Sequence, residues 1–475
     1  MKKLGLAAIV ICLLLVLYFS YIHDPAAEPQ VGNEAAELIS SEEPIVPTPS
    51  PIPPLIEAGY DDTVRAALLE KLSQSEVLSS DSPKLRKFPY PYKAMLTICS
   101  DCDNTTVEAF ERVHRFLNTR EETQFGKGLG LDVSDSFFVY HGTDYFQNDD
   151  VMTYCEGTDP DTLKSAALIK KYYDCGWIDS IHAFGDFSRS TGSLFQRALA
   201  TRAWELLDAA GIAPAVWIDH GTYTNVQNFG SYGVSGSTSY QSGDDPASQF
   251  YHTDMTLSRN IRYVWFNRHS PVFGQDFPLS PRALRDGQTV WSFIRYSCEL
   301  VGSEIDWTWR PNRLRDQLTA ERLDTLEANG HYVIVGQHLT MADEEFQPGP
   351  EDIAALRMLA ERHHESRTVM VSRTSRMLEY AVTQKYLTYQ VSEHNGITGI
   401  RIVSVEDPVT GPRVPSREEL SGVTFYCDNP QLTVIFIGDL QLEDNLVNKN
   451  PEDHTGVKSV SIPWFPEDVK DYSAT

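Results

Sequence analysis

Short apolar runs alternate with segments of helical periodicity along most of this chain. The apolar runs predict strands over Ala94–Ile98, Ser136–Tyr140, Ile178–Ile181, Pro214–Ile218, Ile261–Phe266, Val290–Ile294, Tyr332–Val335 and Thr368–Val371. The segments between them predict helices near Thr106–Asn118, Asp161–Asp174, Leu194–Ala210, Leu314–Asn329, Asp352–His363 and Arg376–Val382. This alternation predicts an α/β fold with a parallel sheet, either open or closed into a distorted (β/α) barrel.

Outside this region the pattern changes. Lys2 and Lys3 precede an apolar run from Leu4 to about Ile22, which predicts a transmembrane signal anchor over residues 1–22, with a cleaved signal peptide as the alternative. Residues 23–85 are expected to form a Pro-rich stalk and a short helix, 86–384 the barrel, and 385–475 a small C-terminal all-β domain. The part beyond the anchor is expected on the extracytoplasmic side of the cell membrane.

The chain is strongly acidic. It has 40 Lys and Arg residues against 66 Asp and Glu residues, which gives a formal net charge of −26. Such a surface repels nucleic acid and anionic lipid headgroups, so no nucleic-acid partner is expected. A neutral or amine-bearing glycan is a compatible partner, although solubility alone explains the charge equally well.

The cysteines outside the predicted anchor admit two interpretations. An oxidising compartment would permit disulfides, and Cys155 with Cys175 is the first pair to test. Cys99 and Cys102 have C-x-x-C spacing, but a single copy does not make a zinc ribbon. Buried thiols at the end of a core strand are therefore the favoured interpretation of that pair.

Polar side chains follow the ends of several predicted strands. Asp101 and Asp103 follow the first strand, His182 follows Ile178–Ile181, Asp219 and His220 follow Pro214–Ile218, and His338 follows Tyr332–Val335. Active sites of β/α barrels are built at this rim, which favours the closed barrel. Taken singly, the aspartates could instead cap the next helix, and His338 could be a core histidine bonded to backbone.

The spacing of His182 and Asp186 suggests metal binding. The two residues are four apart on a turn loosened by Gly185, so both can face one cation. With Asp103 they would form a three-ligand site that leaves positions open for water and substrate, as catalytic metal sites do. A divalent metal is expected, with zinc as the first choice and cobalt, manganese or nickel as alternatives. His338 would supply a general acid or base.

The order of these motifs resembles the NodB-type polysaccharide deacetylases over about residues 93–380. In that family an aspartate pair supplies a base and a metal ligand, a His-[Ser/Thr]-x-x-His motif supplies further ligands, and a late Leu-x-His motif supplies the acid. The resemblance implies Asp101 as the base, Asp103 and His182 as ligands, and His338 as the acid. It also implies that the pair Asp306-Trp307 corresponds to the family's fourth motif.

The sequence departs from this pattern at three places. Cys102 separates the two aspartates, and Asp186 stands where the family has its second histidine. The third motif, whose arginine orients the base, is replaced by Trp-Ile-Asp-His-Gly, residues 217–221. His220 or Asp219 is expected to take the place of the arginine.

The expected activity is metal-assisted amide hydrolysis, which would remove N-acetyl or other acyl groups from amino sugars of an extracellular or cell-envelope polysaccharide. The residues expected to bind the substrate are His220, Asp219, Tyr223, Asp306 and Trp307. Further aromatic candidates for stacking on sugar rings are Tyr251, Trp265 and Trp309, with core packing as the alternative for each.

Two rival functions remain open at this point. A glycoside hydrolase on a related barrel would use Asp101 or Asp103 as nucleophile or base, and Asp219 or Asp306 as acid. A non-catalytic protein that binds glycan or assembles with envelope components is the second rival. The missing arginine and the aspartate at the position of the second histidine motivate it.

Overall fold

Seven parallel strands close into a barrel in the part of the chain that the structure describes. The computed structural model describes residues 55, 59–144, 150–222, 224–230 and 241–474. The barrel strands are β1 (Ala94–Ser100), β2 (Ser134–Phe137), β3 (Ile178–His182), β4 (Val216–Ile218), β5 (Tyr263–Ser270), β6 (Thr289–Tyr296) and β7 (Tyr332–Gln337). Each strand pairs in parallel with the next, and β7 pairs with β1 to close the ring. The prediction of an α/β barrel is confirmed.

The first strand shows why the sequence pattern predicts the barrel. All of β1 is buried, as expected for a parallel strand that is covered on both faces. Its first half pairs with an extra strand, Val369–Val371, and its last residues pair with β2. A further strand, Leu279–Ala283, runs antiparallel to β6. The shorter strands around the barrel are Glu122–Thr123, Gly126–Lys127, Tyr140–His141, Cys155–Glu156, Asp159–Leu163, Gly185–Asp186, Cys298–Val301 and Glu304–Trp307.

Helices occupy most of the connections between strands. The longer ones are α1 (Asp62–Ser73), α2 (Val107–Asn118), α3 (Ala166–Cys175), α4 (Arg197–Ala210), α5 (Ala320–Asn329), α6 (Pro350–His364) and α7 (Thr374–Tyr386). Thr106, not an aspartate of the preceding loop, caps α2 by accepting the Ala109 N–H. The predicted helix over residues 314–329 is interrupted, because Thr319 caps a new helix after Leu314–Gln317.

The region after α7 contains strands but is not separate from the barrel. One sheet combines Leu387–His394, Ile397–Asp407, Gly411–Arg413, Thr433–Ile437 and Leu440–Gln441 with the early strand Val77–Leu78, and a second contains Thr424–Tyr426, Asn448–Asn450 and Ser459–Ser461. The described residues from Leu55 onward belong to one compact unit. Buried side chains of β5, β6 and β7 share a hydrophobic cluster with those of the C-terminal strands.

The predicted location in the membrane is corrected here. Within the described ranges, no helix is long and apolar enough to cross a bilayer. The predicted anchor, residues 1–22, and most of the predicted stalk lie outside those ranges.

The cysteines are free thiols in the described part of the chain. Cys155 and Cys175 are therefore not paired with each other. Cys99 and Cys102 are both buried, and burial raises the pKa of the Cys99 thiol to about 12. The interpretation of the C-x-x-C pair as buried thiols is confirmed.

Helix α1 should contribute to the stability of this unit through its buried leucines. Leu72 is fully buried against Ile397, Val434 and Phe436. We expect Leu72→Ala to lower the free energy of unfolding by about 2–5 kcal/mol, because it removes buried methyl groups and leaves a cavity. Leu440→Ala is the matched control, since Leu440 is 70% exposed, and it should change stability by no more than about 0.5 kcal/mol. Denaturant unfolding of both variants measures this, and equal effects would contradict the packing.

Candidate metal and acid–base site

The parallel barrel brings the predicted polar residues to one rim. Asp101 and Asp103 follow β1, His182 is the last residue of β3, His220 follows β4, and His338 follows β7. Because all seven strands run in the same direction, these positions share the C-terminal end of the barrel. The clustering that the sequence predicts is therefore present.

Three of these residues form the group best suited to hold a metal. Asp103, His182 and His220 offer ligand atoms that all lie within 4.8 Å of one another. One Asp103 oxygen lies 3.1 Å from Nε2 of His182, and the other lies 3.1 Å from Nδ1 of His220. A carboxylate with two imidazoles is a donor set typical of zinc and of other divalent transition metals.

The two imidazoles face each other through nitrogen atoms. Nε2 of His182 lies 3.1 Å from Nδ1 of His220. Two nitrogen lone pairs repel at this distance unless a proton or a cation lies between them. The remaining nitrogens are fixed from behind, since Nδ1 of His182 lies 3.1 Å from the Ile218 carbonyl and Nε2 of His220 lies 3.0 Å from Asp186. Metal-binding histidines are held in this way by a carbonyl or a carboxylate.

This geometry changes the predicted ligand set. Asp186 lies behind His220, against the nitrogen that faces away from Asp103, instead of among the ligand atoms. His220, expected to bind the substrate, supplies the second imidazole. Asp186 is itself held by the Ser188 N–H at 2.8 Å. Asp186 is thus placed to orient His220, and its assignment as a ligand from the i,i+4 spacing with His182 stays a prediction.

The electrostatic environment of the triad Asp103, His182 and His220 favours an anionic carboxylate and a protonated histidine when no metal is bound. Burial lowers the pKa of His220, but Asp103 and Asp186 outweigh it and raise that pKa to about 9. Burial raises the pKa of Asp103, but the surrounding imidazoles hold it well below its ordinary value. A divalent metal would take the place of the proton on His220.

A buried arginine holds the predicted base. Arg295 of β6 donates through both terminal nitrogens to the two Asp101 oxygens, at 2.5 and 2.8 Å. Its guanidinium lies over the Trp265 ring, 3.4 Å from the centroid. Burial raises the pKa of Asp101, but Arg295 and then His182 offset it, so the pKa lies below the ordinary value. Asp101 is therefore ionised at neutral pH.

Arg295 was missed at the sequence level. The expectation that His220 or Asp219 would replace the orienting arginine is wrong, because the guanidinium comes from a different strand. The available signal was an arginine near the end of the apolar strand Thr-Val-Trp-Ser-Phe-Ile-Arg-Tyr, residues 289–296. A charged residue that is only 2% exposed in such a strand requires a partner, and Asp101 supplies it.

His338 approaches the same carboxylates from β7. Its Nε2 lies 3.2 Å from Asp103 and 3.9 Å from Asp101, and its ring packs against Trp309. Among the described residues its buried Nδ1 has no hydrogen-bond partner, so His338 is not a core histidine tied to backbone through its ring. It is placed to exchange a proton with a group bound beside Asp101.

A loop rich in amides supports the histidines. Asn225, Gln227 and Asn228 are fully buried, and each binds backbone of the loops that follow β3 and β4. Gln227 accepts the Phe184 N–H at 3.1 Å, and Asn228 accepts the His220 N–H at 3.2 Å. The sequence showed this segment only as a long polar loop, although three side-chain amides within four positions were a usable signal.

Backbone strain accompanies the three candidate ligands. Asn104, Ala183 and Thr222 have φ values of 52°, 48° and 68°, and they follow Asp103, His182 and His220 by one or two residues. Such conformations cost about 1–3 kcal/mol each for non-glycine residues and concentrate at functional sites. The strained positions thus lie directly beside the three candidate ligands in the chain.

The site lines a cavity of about 270 Å³. Its walls include Asp101, Asp103, His182, Ser188, Asp219, His220, Thr222, Trp265, Asn267, His269, Arg295, Ser297, Trp309 and His338. Asp219 is completely buried in this wall, where one oxygen accepts the Trp217 indole N–H at 2.8 Å and burial raises its pKa well above the ordinary value. Burial thus favours the protonated form of this carboxyl.

The other predicted substrate-binding residues have mixed placements. Trp307 is 42% exposed and meets the ring edge of His269, beside the cavity, whereas Asp306 pairs with Arg313 at 2.7 Å. Trp265 is buried beneath Arg295, as the alternative of core packing predicts. Tyr223 lies outside the described residues.

The first prediction of this site concerns the ligand set. We expect His220→Ala to lose tight zinc binding, and Asp186→Ala to weaken it about 10–100-fold, because a carboxylate behind a ligand orients it without binding the metal. His269→Ala is the control, since this imidazole lines the cavity outside the triad. Zinc content and calorimetric titration of the purified protein measure these effects. Complete loss in Asp186→Ala with retention in His220→Ala would restore Asp186 as the ligand.

The second prediction concerns pH. Since the pKa of His220 is about 9 in the metal-free site, zinc must displace a proton below that pH. The apparent affinity should rise about tenfold per pH unit between roughly pH 7 and 8.5, and level off above pH 9. Competition with a chelator across this range measures the slope. A flat dependence would show that His220 binds no proton in the metal-free protein.

Comparison with protein families, with curated proteins and with solved structures found no match. The resemblance to NodB-type deacetylases therefore rests on the order of the motifs and on their placement at one barrel rim.

Proposed function

We propose that this protein is a metal-dependent hydrolase that removes N-acetyl or other acyl groups from amino sugars of a polysaccharide. The observation that carries the proposal is the Asp103–His182–His220 group lying beside an aspartate, Asp101, that a buried arginine holds ionised. A divalent metal at the triad, zinc as the first choice, would polarise an acyl carbonyl and make a water molecule more acidic.

Two side chains beside the triad fit the roles of base and acid. Asp101 is ionised, buried and oriented by Arg295, so it accepts a proton from attacking water without rotating away. His338 lies on the β7 side of the same carboxylates and would protonate the departing sugar amine. The separation of these roles resembles that of NodB-type deacetylases, although the orienting arginine comes from β6.

The cavity limits the size of the reacting group. A volume of about 270 Å³ accommodates a sugar ring with its acyl substituent, and the rest of a polymer must lie outside it. Trp309 and the more exposed Trp307 offer aromatic surface beside the cavity for neighbouring sugars.

One observation favours the rival assignment as a glycoside hydrolase. Asp219 is a fully buried carboxyl in the wall of the same cavity, and burial raises its pKa well above the ordinary value, which is the direction that a glycosidic acid requires. Against this, Asp103, the less buried carboxylate of the β1 loop, is surrounded by imidazoles. This arrangement suits a metal site better than a carboxylate nucleophile.

The test is acetate release by the zinc-loaded, full-length protein from oligomers of N-acetylglucosamine. We expect turnover in the wild type and a loss of at least about 100-fold in Asp101→Asn with zinc content unchanged, because the base is removed but the ligands are kept. Loss of zinc in Asp101→Asn would show that Asp101 is the metal ligand and Asp103 the base. New reducing ends without acetate would select the glycosidase. Binding of the oligomers with neither product would select the non-catalytic rival.

A further inference from the structure

Another buried carboxylate, that of Asp135, lies next to the site and has no role in the proposed chemistry. Asp135 belongs to β2, is 1% exposed, and pairs in register with Ser100, the last residue of β1. Among the described residues its nearest basic group is His114, whose Nε2 is 3.9 Å away. Burial lowers the pKa of His114 to about 4, so that imidazole is neutral and leaves the carboxylate without a full counter-charge.

Hydroxyl groups take the place of a counter-charge. Thr340 donates its hydroxyl proton to Asp135 at 2.6 Å, and its oxygen lies 2.8 Å from the hydroxyl of Thr105. Because Thr340 has only one hydroxyl proton, Thr105 must be the donor to Thr340. Ser100 and the Ser136 N–H also bind the carboxylate. The chain of donors therefore ends on Asp135, and only an acceptor with several lone pairs completes it.

The residues in this chain come from the two loops that carry the proposed chemistry. Thr105 lies two residues beyond Asp103, and Thr340 lies two residues beyond His338. The same loops also meet through backbone, since the Ala342 N–H donates to the Asn104 carbonyl at 3.0 Å. The Leu339 N–H donates to the Ser100 hydroxyl at 2.9 Å, which extends the contact to the end of β1.

Burying a carboxylate at this position costs free energy, so efficient packing alone does not explain why an aspartate is found there. Burial raises the pKa of Asp135 to about 6, against the opposing hydrogen bond from Thr340. An apolar side chain would avoid that cost but would leave the hydroxyls of Thr340 and Ser100 without their acceptor. The carboxylate thus completes the hydrogen bonds that connect the two loops.

We propose that Asp135, acting through Thr340 and Thr105, is a positioning residue that holds the Asp101–Asp103 loop in register with the His338 loop. This inference rests on the proposed function, because it treats Asp103 as a ligand and His338 as the acid. It adds a residue on β2, a barrel strand that supplies neither a proposed ligand nor the proposed base or acid.

The test uses zinc affinity and turnover of full-length variants. Thr340→Val removes the hydroxyl at nearly constant volume, and we expect zinc binding about tenfold weaker and a comparable loss of kcat with KM little changed. Asp135→Asn should move both quantities in the same direction. Thr340→Ser restores the donor and should return both to within about twofold of wild type.

Thr374→Val is the matched control. Thr374 is as deeply buried as Thr340 and also pairs with a threonine, Thr97, at 3.1 Å, but neither residue lies on the two loops. It should leave zinc affinity unchanged within about twofold, while its effect on thermal unfolding resembles that of Thr340→Val. Should Thr340→Val fail to fold, Asp135→Asn and Thr340→Ser decide the question.

The outcomes separate this inference from the proposed function. If the wild type binds zinc and neither Thr340→Val nor Asp135→Asn weakens that binding, the positioning role is overturned and the metal site stands. Equal weakening in Thr340→Val and Thr374→Val would assign the effect to general stability and overturn it too. A wild-type protein that binds no zinc would overturn the metal site, and the positioning role with it.

Discussion

Charge balance is the constraint on which this site depends. Asp101, Asp103 and Asp186 crowd one rim of a barrel, and none of them is well exposed to water. Buried carboxylates are stable as anions only when positive charge or several hydrogen-bond donors lie against them. Arg295 neutralises Asp101, and a protonated His220 lies between Asp103 and Asp186. A divalent cation at the triad would serve the same balance, which is why the metal-free site and the metal-binding site can share one geometry.

The division of labour between the two aspartates of the β1 loop follows from their partners. Asp101 meets a permanent cation that never gives up its proton, so Asp101 stays ionised and cannot leave its position. Asp103 meets only imidazoles, which exchange a proton for a metal. Two residues apart in sequence, these carboxylates therefore differ in what they can do: one is suited to accept protons, and the other to bind a cation.

Local sequence patterns predicted the barrel and the rim, because both follow from short-range signals. A strand such as Ala94–Ser100 is apolar throughout, and the chain direction then decides where Asp101 and Asp103 emerge. The same reasoning chose Asp186 as a ligand from its spacing to His182, and that choice depended on a single loop. The imidazole that lies against His182, that of His220, is placed there by the pairing of β3 with β4, where Ile218 lies beside His182. The spacing of residues within one segment cannot predict a contact between side chains of neighbouring strands. Arg295 was not predicted for the same reason, since its partner Asp101 lies 194 positions away in the chain.

The supporting contacts show how such a site is kept rigid. The loops after β3 and β4 carry residues with positive φ, and buried amides of Asn225, Gln227 and Asn228 bind their backbone. Strained backbone persists only where surrounding contacts over-determine it, and these amides supply those contacts. In a separate network, Asp135 and its threonines bind the loops after β1 and β7. The two networks lie on different strands but meet at Asp103, which contacts His182 and His220 on one side and His338 on the other. A displacement in either network would therefore reach the other through the β1 loop, most directly through Asp103.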